Sequence, residues 1–186
     1  GCGKSTQARI FSERIGAVLT EEPYKGDEIR RILREENNPY SNAEKLAELF
    51  INDRKKHLQE FILPNVYEGR SVVSDRYDLS TIAYQSAQGM DLNQLIEMHN
   101  ELLIPDITFM FDTPLDVCMS RSDKLEKKFE VDPEFQLKVF MAYKSAAVKL
   151  IPDGRCIALI NSKYTTGETA DQIYSYYLNF IKPKSL

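Results

Sequence analysis

There is no tryptophan in this chain of 186 residues, and it has only two histidines and three cysteines. Cys2, Cys118 and Cys156 lie far apart, with neither metal-ligand spacing nor an even disulfide framework, so free structural thiols in a reducing, cytoplasmic compartment are expected. His57 and His99 fall in helical patterns without a partner motif and read as ordinary structural or surface residues. No apolar run approaches the roughly 20 residues of a membrane-spanning helix, and no secretory signal precedes the first motif. Positive charge is also in short supply, with 24 Lys and Arg against 28 Asp and Glu, a net charge of -4. That balance argues against a nucleic-acid coat and leaves open a local basic pocket for a small anion. What is present is 42% hydrophobic residues, including 10 Tyr and 9 Phe, enough for one sizeable core in one domain.

Short apolar runs alternate with helical periods along the whole chain. Ala8, Phe11 and Ile15 share a helical spacing, and Gly16 stands where a left-handed cap would end that helix. A strand is expected at Ala17–Leu19, a helix at Asp27–Glu35, and a long helix from Ala43 to Phe61 behind a capping box of Ser41 and Glu44. Val72–Ser74, Ile107–Phe111 and Ile157–Ile160 read as further strands. Helical patterns cover residues 78–87, 92–103, 115–119, 135–150 and 170–181. Brief strands buried on both sides, each followed by a crossover helix, predict an α/β fold: a parallel sheet with helices on both faces.

The chain opens on Gly1-Cys2-Gly3-Lys4-Ser5-Thr6, the back half of a phosphate-binding loop, G-x-x-x-x-G-K-[ST]. The expectation is a single P-loop domain over residues 1–186 that begins inside its motif and lacks its first strand. Backbone N–H groups of such a turn, opening onto a helix N-terminus, cradle an anion. Lys4 can reach the terminal phosphates and Ser5 can ligate a magnesium ion. Asp75 and Arg76 directly follow a buried strand, where ligands gather in open α/β sheets. On residue types alone they are either a magnesium-shell acid with a phosphate-bridging guanidinium or a surface ion pair.

Four segments together resemble the thymidylate kinase family. Residues 74–85, Ser-Asp-Arg-Tyr-Asp-Leu-Ser-Thr-Ile-Ala-Tyr-Gln, are similar to its D-R-[YH]-x-x-S-x-x-A-Y segment. Thr20-Glu21-Glu22-Pro23 is similar to T-R-E-P, Leu49 to Arg54 to L-F-x-x-[DN]-R, and Pro105 to Pro114 to P-D-x-x-x-x-x-D-x-P. The resemblance implies a three-layer P-loop NTPase fold and magnesium-dependent phosphorylation of dTMP by ATP, in a cytoplasmic homodimer without nucleic-acid or membrane partners. For the homodimer, the apolar surplus of the helix from Ala43 to Phe61 is permissive.

By the same resemblance Lys4, Asp75 and Arg76 are catalytic, and Ser5 and Asp75 hold the metal. Residues Gly1, Cys2, Gly3, Lys4, Ser5 and Thr6, with Arg121 and Asn161, bind ATP. Glu22, Arg30, Phe50, Arg54, Arg76, Ser80, Thr81 and Tyr84 bind dTMP, Phe50 stacking on the base and Arg54 bonding its edge. Phe50 as plain core packing is the competing reading. Residues 121–130 take the place of the family's lid, and a solvated mixed-charge face is the alternative there. Two departures stand out: Glu21 replaces the family's Arg, and Tyr24-Lys25-Gly26 replaces Gly-Gly-Thr in a shorter loop. They keep two alternatives open, a kinase for another nucleoside monophosphate or deoxynucleoside, and a nucleotide-binding module without catalysis.

Overall fold

A computed structural model describes residues 2–36, 38–120 and 132–181. Gly1, Arg121 and the expected lid at 121–130 lie outside them. Four strands are present among these residues: β1 (Val18–Glu21), β2 (Val72–Asp75), β3 (Thr108–Phe111) and β4 (Ile157–Ile160). β1 runs parallel to β2 with Val18 opposite Val72 and Glu21 opposite Asp75. β3 runs parallel to β4 from Thr108 opposite Ile157 to Phe111 opposite Ile160.

The helices are α1 (Lys4–Ile15), α2 (Asp27–Glu35), α3 (Ala43–His57), α4 (Leu63–Tyr67), α5 (Asp78–Ala87), α6 (Leu92–Glu97), α7 (Leu115–Ser120), α8 (Pro133–Leu150) and α9 (Thr166–Ile181). Side-chain alternation along β3 shows how they cover both sides of the strands. Phe109 and Phe111 join Phe11 of α1 and Ile173 of α9 in one cluster, together with Val73 and Ile160. Met110 points the other way, onto Ala47, Leu79, Ile82, Leu95, Ala146, Ala147 and Leu150 of α3, α5, α6 and α8. Each large apolar side chain buried in this way contributes about 1.5–3 kcal/mol. The α/β mixture of helices and parallel strands is the one expected, but among the described residues the strands form two separate two-stranded sheets, β1–β2 and β3–β4, rather than one continuous sheet.

α1 ends as its sequence predicts, at Gly16 with φ 68°. β1 starts one residue later than expected and runs on through Thr20 and Glu21, because the ladder with Ser74 and Asp75 carries these polar residues. The capping box is absent: Asn42 occupies the N-cap of α3, and Ser41 Oγ instead donates to the Asn38 carbonyl at 2.8 Å. α3 continues through a π-helical turn at Leu58–Ile62 into α4, whose first turn contains Pro64. Widening the helix just before Pro64 lets it run on past a residue with no N–H to donate. The apolar surplus of α3 faces inward, and its exposed positions are Glu44, Lys45, Glu48, Asn52, Lys55 and Lys56. One expectation is corrected outright: Cys2 and Cys118 are joined by a disulfide with Cα atoms 4.9 Å apart, and Cys156 is the free, exposed thiol. A separation of 116 residues hid that pairing from the sequence.

Candidate active site

The donor side is built on the start of α1. Gly3 takes the left-handed conformation, φ 80°, so the chain turns into the helix where its first N–H groups have no carbonyl to bond. No acidic side chain lies in that first turn, so the positive end of the helix dipole is left for an anion. Lys4 is the first helical residue, half-buried, and the Ser5 and Thr6 side chains that follow it are exposed. A cavity of about 280 Å³ opens beside this turn, bounded by Cys2, Gly3, Thr6 and Gln7 on one side and by Ser162 and Thr166 on the other. Gln7, 4% exposed, donates from Nε2 to the Thr166 carbonyl at 2.8 Å and ties α1 to the start of α9. Ser162 Oγ donates to the Cys2 carbonyl at 3.1 Å. Asn161, beside it, uses Oδ1 to accept the Lys163 N–H at 3.1 Å. Gln7 and Thr166 were missed by the sequence reading, since neither belongs to the loop motif.

The acceptor side is a locked polar unit beneath β1. Glu22, 6% exposed, receives Arg54 Nε at 2.9 Å and Arg54 Nη2 at 2.6 Å. The same Nη2 donates to Thr81 Oγ1 at 3.0 Å, joining α3 to α5. His57 sits 3.2 Å from Glu22 through Nδ1 and 2.7 Å from Thr20 Oγ1 through Nε2. With Nδ1–H donating to the carboxylate, Nε2 accepts the threonine hydroxyl. His57 is buried and stacks on Tyr24, with ring centroids 4.7 Å apart. Asp53 accepts the backbone N–H groups of Tyr24 and Lys25, at 2.5 and 2.8 Å, and so shapes the shortened loop. Lys25 pairs with Glu60. Asp53 and His57 are therefore the residues that build this corner, and the sequence reading assigned neither of them to it. Their signal was the one-turn spacing of His57 from Asp53, on the same helical face.

Arg30 donates to the Pro23 carbonyl and thereby holds the end of the same loop. Phe50 is half-buried against Ile29, Ile32 and Leu46, so core packing accounts for part of its surface. Arg54 lies 4.8 Å from the centre of the Tyr77 ring, and its buried Nη1 has no hydrogen-bond partner among the described residues. Burial pushes the Tyr77 phenol above its ordinary range, and the nearby Arg54 charge works against that rise.

Asp75 and Arg76 close β2 between the two sides. Asp75 lies in register with Glu21, which brings two carboxylates abreast at the ends of neighbouring strands. Arg76 has φ 73°, a left-handed conformation unusual for an arginine, and its carbonyl accepts the Ser74 hydroxyl at 2.7 Å. Burial opposes its charge, yet Tyr84, Tyr143 and Asp75 outweigh that and hold the guanidinium more firmly protonated than usual. The guanidinium carbon lies 5.6 Å from the Tyr84 ring centre. Tyr143 donates to Ser80 Oγ at 3.0 Å, and burial pushes its phenol up to about 12. The α5 residues Ser80, Thr81 and Tyr84 are thus each engaged around Arg76 or Arg54.

Residues 1–173 match the family model for thymidylate kinase. The chain belongs to the thymidylate kinase family. A probable thymidylate kinase of Methanococcus maripaludis is 33% identical over 99% of this chain and 92% of that protein. One from Thermococcus kodakarensis is 35% identical over 84% of each chain. A thymidylate kinase of Wolbachia pipientis is 31% identical, again covering 99% of this chain and 92% of the relative. Membership makes the chain a nucleoside monophosphate kinase with the P-loop NTPase fold, a phosphotransferase that uses ATP. No helix among the described residues is long and apolar enough to cross a membrane.

Proposed function

We propose that this kinase transfers the γ-phosphoryl group of ATP to dTMP with the help of magnesium. The observation that supports the choice of acceptor is the unit Glu22–Arg54–Thr81, which leaves Arg54 Nη1 as a buried donor with no acceptor among the described residues. Leaving such a donor unmade costs about 1–3 kcal/mol, which a pyrimidine carbonyl bound there would recover. Phe50, one turn before Arg54 on α3, offers its uncovered ring surface to the base. Arg76 stands next to this unit and accounts for the acceptor phosphate.

Serine hydroxyl and aspartate carboxylate oxygens suit a hard cation, and no group of three or more potential ligands from His, Cys, Asp and Glu occurs among the described residues. That donor set fits magnesium, which is held by one or two protein oxygens, with water and phosphate completing the shell. Ser5 and Asp75 would hold it, and when bound it offsets charge on the β- and γ-phosphates. Lys4 and the first N–H groups of α1 bind the polyphosphate. Arg76 neutralises charge developing between donor and acceptor, and its strengthened protonation suits that work. The chain needs to supply only positioning and electrostatics for the acceptor oxygen to attack in line.

Glu21 favours one other reading, a nucleotide-binding module without catalysis, because its carboxylate adds negative charge beside Asp75. A coupled ADP-release assay with ATP, magnesium and dTMP, and with dUMP, dCMP, AMP and thymidine in parallel, separates the two. Turnover is expected with dTMP and should fall about 10³-fold in Arg76→Ala. Wild-type turnover in that variant would remove Arg76 from the mechanism. ATP binding without product from any acceptor would favour the module.

A further inference from the structure

We propose that Cys2 and Cys118 form a reversible redox-modification site that couples thiol oxidation to ATP binding; the inference rests on residues 1–6 being the phosphate loop. The two residues meet where three sheet-end segments converge. Ser162, after β4, donates to the Cys2 carbonyl at 3.1 Å and shares a hydrogen bond with Thr113, after β3. Cys118 on α7 places its sulfur 3.8 Å from the Thr113 carbonyl. Each redox state therefore has a partner ready. The oxidised pair is bonded across a Cα separation of 4.9 Å, and the reduced Cys118 thiol has the Thr113 carbonyl to donate to.

Exposure sets the order of the chemistry, because Cys118 is 8% exposed and Cys2 is only half-buried. The Cys2 thiolate attacks one sulfur of a low-molecular-weight disulfide such as oxidised glutathione and releases one thiol. The Cys118 thiolate then attacks Cys2 Sγ and releases the second. Two protein thiols lose two protons and two electrons, one S–S bond forms, and the glutathione disulfide is reduced to two thiols. Excess thiol reverses both steps.

The consequence follows from where Cys2 stands. Its peptide leads directly into Gly3 and the N–H groups that face the polyphosphate. A covalent tie to α7 restrains that peptide more tightly than the hydrogen bond from Ser162 does alone. The left-handed turn at Gly3 is formed with that tie in place, so the oxidised state holds the cradle pre-organised, and oxidation should strengthen ATP binding about tenfold.

The test compares the reduced protein with protein treated with oxidised glutathione, using a fluorescent ATP analogue and non-reducing peptide mapping. A linked Cys2–Cys118 peptide, about tenfold tighter binding and full return to the reduced affinity with dithiothreitol are expected. Cys118→Ser should keep its basal ATP affinity and lose the response, and Cys156→Ser should respond as wild type does. Absence of the linked peptide, unchanged or weaker binding once it has formed, or a full response in Cys118→Ser would each overturn the proposal. The wild-type arms decide the question even if a variant folds poorly. A reduced protein that binds ATP but leaves dTMP untouched would count against the acceptor reading and not against this site.

Discussion

Glu22 and Arg54 are 6% and 1% exposed, and their bidentate contact is closed off from water. A carboxylate and a guanidinium buried in this way repay their desolvation only while both are present. Glu22→Ala would leave the Arg54 charge uncompensated and His57 without its acceptor, and should cost about 3–5 kcal/mol of stability. Urea denaturation measures it directly; a loss below about 1 kcal/mol would show that water or a neighbouring group reaches Arg54. The motif T-E-E-P and the Leu49–Arg54 segment were both legible as candidate acceptor-site residues through the family resemblance. Their contact was not, because nothing in the chain relates residues 32 apart until the fold brings them together. Asp53 was visible as the [DN] position of a motif but without a role, and its hold on the Tyr24 and Lys25 N–H groups depends on a loop shape that no pattern encodes.

Strands and long helices were readable at the scale of elements because apolar spacing alone decides them; their ends were not. The helix expected over residues 92–103 stops at Glu97, and His99 shows why. Its Nδ1–H donates to the Leu95 carbonyl at 2.6 Å, competing for the oxygen that a continuing helix would use. The following N–H groups tighten onto carbonyls three residues back, Asn100 to Glu97 and Leu102 to His99. His99 is also a buried titratable group. Burial lowers its pKa from 6.5, with the Arg54 charge adding to the effect and the bond to Leu95 opposing it. An unfolded chain therefore takes up a proton here before the folded one does, so this contribution is intact above pH 6.5 and is lost as the pH falls through the lower folded value. The melting temperature should drop as the pH falls below 6.5, and that of His99→Gln, which keeps a donor for Leu95, should drop less. Parallel slopes for the two proteins would assign the acid sensitivity elsewhere.

Across the whole molecule, the proposed donor residues sit on α1 and the loops that face it, while the proposed acceptor residues sit largely on α2, α3 and α5. Asp75 and Arg76, at the end of β2, are the proposed link between the two groups. α1 packs against β2 in the cluster of Phe11 and Val73, whereas Arg54 and Thr81 bond to each other within a separate polar unit. Two half-sites with separate supports should bind their ligands nearly independently in the absence of turnover. Each ligand at a hundred times its dissociation constant then adds about 2.7 kcal/mol to the stability of the folded state, and the two increments sum. Calorimetric melting with a non-hydrolysable ATP analogue, with dTMP, and with both measures the increments separately. Lys4→Met should erase the nucleoside triphosphate increment and keep that of dTMP, and Phe50→Ala should do the reverse. Loss of both increments in Lys4→Met would mean that the halves form one cooperative site, with the turn at Asp75 and Arg76 transmitting occupancy from one side of β2 to the other.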